Sequence, residues 1–122
     1  MVILGTNLGV SDNSGAIKVK CIKILGNSFC NMARIGDILV VAIQTAKVKK
    51  KVTRRQVHKS ILVRQKKKTF RKNGINVSFH KNSVVLIKPN FDPIGNRVKG
   101  SVLQEIRYKK CLKIMLLATT IV

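Results

Sequence analysis

The stretch SILVRQKKKTFRKNGINVSFHKNSVVLI, Ser60 to Ile87, decides how the chain folds. Ser60 to Gln65 is a short β-branched run. Ile75, Val77 and Phe79 alternate with Asn76, Ser78 and His80, the period-two pattern of a half-buried strand. The two runs read as the arms of a hairpin spanning about residues 60–80, because Asn73-Gly74 between them is a strong tight-turn signal. Ser83 to Ile87 follows as another strand.

The same grammar extends outward in both directions. Ser11-Asp12-Asn13-Ser14-Gly15 is a turn, since Asp and Asn side chains bond their own backbone and Gly15 accepts positive φ. Ala16 to Leu25 is a strand in which Ile17, Val19 and Cys21 face one way and Lys18 and Lys20 the other. The parity then switches to Ile22 and Ile24 around Lys23, which predicts a β-bulge near Cys21. Gly36-Asp37 opens Ile38 to Ile43, which reads as a strand covered on both faces. Pro89 and Pro93-Ile94-Gly95 break regular structure. Ser101 with Gln104 fits a capping box and predicts a helix over Val102 to Lys110, with Val102, Leu103 and Ile106 facing the core. Leu112 to Val122 is apolar and should pack back, giving a helical C-terminal part over about 100–122. The 122 residues suit one domain. Short strands between turn signals predict a small all-β barrel with a minor α part.

Charge decides the class of partner. The chain carries 25 Lys and Arg against 4 Asp and Glu, a formal net charge of +21. Self-repulsion of that size works against compaction, so it implies a polyanionic partner. With 45% hydrophobic residues the chain has the means for a core and is not a disordered basic tail. Half of the residues from Lys47 to Lys72 are basic, and no acid occurs between Asp37 and Asp92. A solvated face mixes both signs; this sector reads instead as a phosphate-binding surface, with Lys as a mobile point charge and Arg as a two-donor fork. Phe70 in the basic tip either stacks on an unpaired base or caps the hairpin's own apolar side. One Tyr and no Trp leave no aromatic platform for single-strand readout, which favours recognition of backbone and shape.

Other classes fall away. Asp12, Asp37, Asp92 and Glu105 are dispersed, whereas two-metal catalysis needs clustered carboxylates. His58 and His80 sit in basic or strand contexts with no nucleophile signature, and phosphate-cradling Gly motifs are absent. The reading is therefore not an enzyme, with no cofactor and no metal. Cys21, Cys30 and Cys111 form no Cys-x-x-Cys pair and read as free thiols in a reducing compartment. The longest apolar run is strand-sized, so no membrane insertion is expected. A polybasic membrane-surface protein would need an amphipathic helix or a lipidation signal, and a stand-alone RNA-binding factor of translation is the other rival. Strand-like sequence begins almost at Met1, so no transit segment is expected. Abundant Lys, Asn and Ile with few Ala lean toward the A/T-rich genome of an organelle.

Several ordered motifs resemble one family. Asp12-Asn13-Ser14-Gly15-Ala16, Cys21-Ile22-Lys23-Ile24-Leu25-Gly26, and Gly36-Asp37-Ile38 come first. Val63-Arg64 with Lys66-Lys67, Asn73-Gly74, Phe79, Asn82 and Val85-Leu86-Ile87 follow. Pro93-Ile94-Gly95-Asn96-Arg97-Val98 closes the series. Together they resemble the universal L-fourteen family of large-subunit ribosomal proteins, almost end to end. The resemblance implies a five-stranded antiparallel barrel with a projecting basic hairpin and a short C-terminal helix. It implies binding to large-subunit rRNA, bridges to small-subunit rRNA across the interface, and contact with neighbouring proteins including the nineteenth.

On that footing the expected rRNA contacts are Asn13, Ser14, Lys18, Lys20, Lys23, Lys47, Lys49, Lys50, Lys51, Arg54, Arg55, Lys59, Arg64, Lys66, Lys67, Lys68, Phe70, Arg71 and Lys72. Asn96, Arg97, Lys113 and Leu116 lie where the family receives a ribosome-silencing or assembly factor. The chain departs from the family pattern at Cys30-Asn31 and Met32, where a basic pair and Tyr are usual. It departs also at Ser60, Asn96, Leu116 and Thr119-Thr120. These departures fit a divergent organellar member, on a mitochondrial ribosome; a plastid or a bacterial cytoplasm is the alternative.

Overall fold

The computed structural model describes residues 2–26, 31–109 and 111–122. Five strands close a barrel in the order β1 (Asn7–Val10), β2 (Ala16–Leu25), β3 (Ile38–Ala46), β4 (Val57–Arg64) and β7 (Ser83–Ile87). A two-stranded excursion, β5 (Thr69–Phe70) and β6 (Asn76–Val77), leaves between β4 and β7. The chain ends in β8 (Val98–Val102), a 3-10 helix over Gln104–Lys109, α1 (Leu112–Leu117) and β9 (Ala118–Ile121).

Register assigns the faces. Leu8 pairs with Val19, Val19 with Ile43, Cys21 with Val41, and Leu62 with Val84. Paired residues share a side of the sheet, and all of these are buried, so they fill the barrel. Ile38, Ile61 and Val85 form the opposite row. Ile61, Val85 and Ile87 are nevertheless buried, so a second layer covers the barrel outside β4 and β7. The C-terminal segment supplies it. Val98, Val102, Leu103, Ile106 and Ile114 join the same core cluster, and β9 pairs parallel with β8.

The first turn locks the barrel to this layer. The Asp12 carboxylate accepts from the Ser14 amide (3.0 Å) and the Ser14 hydroxyl, and its other oxygen accepts from the Leu86 amide (3.0 Å). Lys99 N donates to Ser11 O at 2.7 Å. Gly95 presses on the turn so closely that a Cβ there would meet the Asn13 amide nitrogen at 2.9 Å and Asp12 Cβ at 3.0 Å.

Several sequence expectations are corrected. The barrel is not wholly antiparallel, because β1 and β7 run parallel where it closes. Ser60 to Gln65 is not a hairpin arm: β4 sits between β3 and β7. The hairpin is a shorter stub pairing Thr69 with Val77 and Phe70 with Asn76. The bulge at Cys21/Lys23 is present, but another irregularity between Ala16 and Lys18 turns Ile17 outward (46% exposed). Ile38 to Ile43 is fully covered on one face only, at Leu39, Val41 and Ile43. No capping box forms at Ser101, which is a strand residue whose hydroxyl accepts from Thr120 Oγ1 at 2.7 Å. The helix predicted over Val102 to Lys110 is a 3-10 helix, and the α-helix lies in the apolar tail. Val102, Leu103 and Ile106 are buried as expected, and so is Cys21. Cys111 is half-buried; Cys30 lies outside the described residues. Burial pushes both described thiols above their ordinary pKa.

Candidate nucleic-acid interface

All four acids are consumed inside the fold. Asp12 holds the first turn. Asp37 accepts from the Arg34 amide at 2.8 Å and pairs with Lys109 at 3.4 Å. Asp92 pairs with Lys113, which holds its carboxyl below the usual range. Glu105 binds Arg71 through both oxygens, at 2.7 and 3.1 Å. No fourth ion pair occurs among the described residues, so most of the positive charge is left facing outward.

The expected contacts among these cations form two groups. On the barrel wall, Lys20 faces Asn7 and Ala42 across the ladder, while Lys23 and Lys59 flank Val40. With Lys18 they make an exposed outer face, which meets the covered wall where Lys59 pairs with Ile87. Its rim is the β3–β4 loop with Lys47, Lys49, Lys50 and Arg55, all exposed. Lys49 and Arg55 take left-handed φ of 59° and 66° there. The second group, Lys66, Lys67, Lys68 and Lys72, lies in the exposed excursion beyond the other end of β4. The eight residues of β4 separate the groups by roughly 25 Å of strand.

Other cations in the expected set serve the fold. Arg64 donates from Nε to Ser101 O (2.6 Å) and from Nη2 to Lys99 O, and its guanidinium lies 5.9 Å from the Phe79 ring centroid. Desolvation lowers its pKa. Arg71 ties the hairpin to Glu105 and to Val122 O (2.8 Å), so the tip is docked on the C-terminal layer. Lys51 bridges Ile94 O and Asn96 Oδ1, both at 3.1 Å, and Arg54 Nε donates to Gln44 O. Ser14 is fully buried with its hydroxyl on Asp12, so only Asn13 of the first turn faces out. Lys99 escaped the sequence reading: it lines a cleft of about 220 Å³ with Asn13, Lys47 and Lys50. Strand pairing brings these distant positions together, and no local pattern marks them.

Phe70 does not cap the hairpin's own apolar side. It is 74% exposed and forms one wall of a groove of about 520 Å³ between the hairpin and residues 32–35. Of the residues expected at a protein-docking face, Arg97 is exposed, Asn96 accepts from Lys51, and Lys113 is held by Asp92. Leu116 is 84% exposed on α1. Val98 pairs with Ala118, which sets Arg97 beside the end of α1. Among the described residues no group of three His, Cys, Asp or Glu comes together to hold a metal, and no helix is long and apolar enough to cross a membrane. A comparison with known protein families matches residues 1–122 to ribosomal protein L14p/L23e.

Proposed function

The chain belongs to the ribosomal protein L14p/L23e family, and from that membership we infer how it serves the ribosome. It is a structural protein of the large subunit and not an enzyme. In our reading it binds large-subunit rRNA through two phosphate-binding regions. One is the barrel face of Lys18, Lys20, Lys23 and Lys59 with the rim of Lys47, Lys49, Lys50 and Arg55 and with Asn13. The other is the hairpin group of Lys66, Lys67, Lys68 and Lys72. The observation that carries this is the internal use of every acid, which leaves these cations without a protein counter-charge among the described residues. Neutralising them on RNA phosphates releases condensed counterions, a large favourable term. Lys51, Arg54, Arg64, Arg71 and Ser14 drop out of the binding set in this reading because the fold engages their polar groups.

Finer elements of the proposal rest on the family. The protein contributes to bridges with small-subunit rRNA at the subunit interface. It contacts neighbouring proteins, including the nineteenth of the large subunit, and receives a silencing or assembly factor around Arg97 and Leu116. Exposure of Leu116 supports the last point. The net charge of +21 and the departures at Met32, Asn96 and Leu116 support a mitochondrial ribosome, ahead of a plastid or bacterial one.

The test is sedimentation with chemical cross-linking. The protein is expected to remain with the large subunit through moderate-salt washes and to cross-link to rRNA from Lys20, Lys50, Lys59 and Lys67. Release in the first wash, or cross-links to proteins alone, would overturn the reading.

A further inference from the structure

The groove beside the hairpin carries features that phosphate binding alone does not use. Phe70 is an exposed aromatic ring amid lysines on its wall, with Met32 and Ile35 on the lining opposite. Lys67, Lys68 and Arg34 also line it. Glu105 is at the same groove, but both its oxygens are on Arg71, so it presents little negative charge. What remains is a partly apolar slot edged by cations. Its volume of about 520 Å³ falls within the roughly 300–1,000 Å³ of small-ligand sites.

The slot is held in shape from several sides. Gln65 is buried and its Nε2 donates to Ala33 O at 3.4 Å, joining the hairpin base to the facing segment. Phe79 N donates to Gln65 O at 3.1 Å, and Lys66 N donates to Asn82 Oδ1 at 2.7 Å. At the far end Arg71, the residue next to Phe70, is bonded to the C-terminal layer. A hairpin backbone fixed between such anchors needs little ordering when something stacks on the ring it carries.

We propose that this groove receives one unpaired nucleotide of the bound rRNA, its base stacked on Phe70 and its phosphate held by Lys67, Lys68 and Arg34. The inference rests on the rRNA-binding reading above and adds a base-contacting site to it. An apolar side chain of a neighbouring protein would fill the slot but leave three cations without an anion. A nucleotide satisfies both, because it joins a flat π-face to a fixed negative charge.

The test uses the full chain, its Phe70→Ala variant and its Phe70→Trp variant, which carries the only tryptophan. Phe70 is largely exposed, so both variants should fold; circular dichroism checks this. The probes are an oligoadenylate of about eight nucleotides and an RNA duplex of about sixteen base pairs. Phe70→Ala should weaken oligoadenylate binding on the order of ten- to a hundred-fold and leave duplex affinity and the salt slope unchanged. Phe70→Trp should keep its affinity, and its emission should be quenched by oligoadenylate and not by duplex. Equal oligoadenylate affinity for the wild type and Phe70→Ala overturns the proposal, as does emission that responds only to large-subunit proteins. In either event steep salt dependence of duplex binding would leave the phosphate surface standing. Weak, salt-independent binding of the wild type to both RNAs would remove that reading and this one together.

Discussion

Arg71 and Glu105, at the hairpin tip and in the C-terminal 3-10 helix, form a two-pronged ion pair, Nε to Oε1 at 2.7 Å and Nη2 to Oε2 at 3.1 Å. A strongly basic loop of the chain is thereby fastened to the layer that carries Arg97 and Leu116. Two surfaces read as separate in the sequence share one mechanical link.

That link should be pH-dependent. The Arg71 hydrogen bond holds the Glu105 carboxyl below its ordinary pKa. A depressed folded-state pKa contributes stability above the unfolded value, and that stability is lost as pH falls through the folded one. The stability difference between wild type and Glu105→Gln is therefore expected at neutral pH and should vanish in acid. Urea denaturation at both pH values checks it; a difference that persists in acid contradicts the link.

The isolated protein is expected to bind rRNA with a log K against log salt slope of about −5 to −9, as for six to ten neutralised phosphates. A filter-binding titration measures it. A slope near zero is incompatible with a phosphate surface.

Cations of the hairpin should divide into two kinds. Replacing Lys66, Lys67, Lys68 and Lys72 by Ala should weaken RNA binding and flatten the salt slope by about three units, with little change in melting temperature, because these side chains are exposed. Arg64→Ala should do the reverse. It leaves the carbonyls of Lys99 and Ser101 without their donor, at a cost of about 1–3 kcal/mol. Parallel melting and RNA titrations separate the two; identical behaviour would sink the division.

Asp12→Ala should be strongly destabilising. It strips the Leu86 amide and the Ser14 amide of their acceptor inside the protein, at about 1–3 kcal/mol for each donor left unsatisfied. Urea midpoints of Asp12→Ala and Asp12→Asn check this, the Asn variant keeping one carbonyl acceptor and losing less.

Leu116→Ser should raise affinity for a bacterial silencing factor. An exposed leucine leaves unmatched a partner group suited to a hydroxyl, at about 1–3 kcal/mol, or roughly ten- to a hundred-fold. Calorimetric titration of both proteins decides it, and equal affinities would exclude Leu116 from the contact.

The sequence by itself determined much of the strand-and-turn grammar, the excess of positive charge and the family. Each is a local or summed property: the apolar run Ser83 to Ile87, the Asn73-Gly74 turn, an excess of Lys and Arg, ordered motifs from Asp12 to Val98. Gly74 shows how local such information is. Its φ of +77° and the bond from Arg71 N to Ile75 O close the short loop that the dipeptide announces.

Only the tertiary structure decided which strands pair and which charges remain available. Val63 and Arg64 continue one β-branched run, yet Val63 is buried and Arg64 reaches Lys99 and Ser101. Arg71 and Lys72 are adjacent in sequence, but only Arg71 finds a carboxylate, 34 residues away. A hydrogen bond or ion pair depends on atoms within about 3 Å, and that proximity is set by the closure of the barrel and the return of the C-terminal layer. Composition can count the cations; only the fold determines which are occupied.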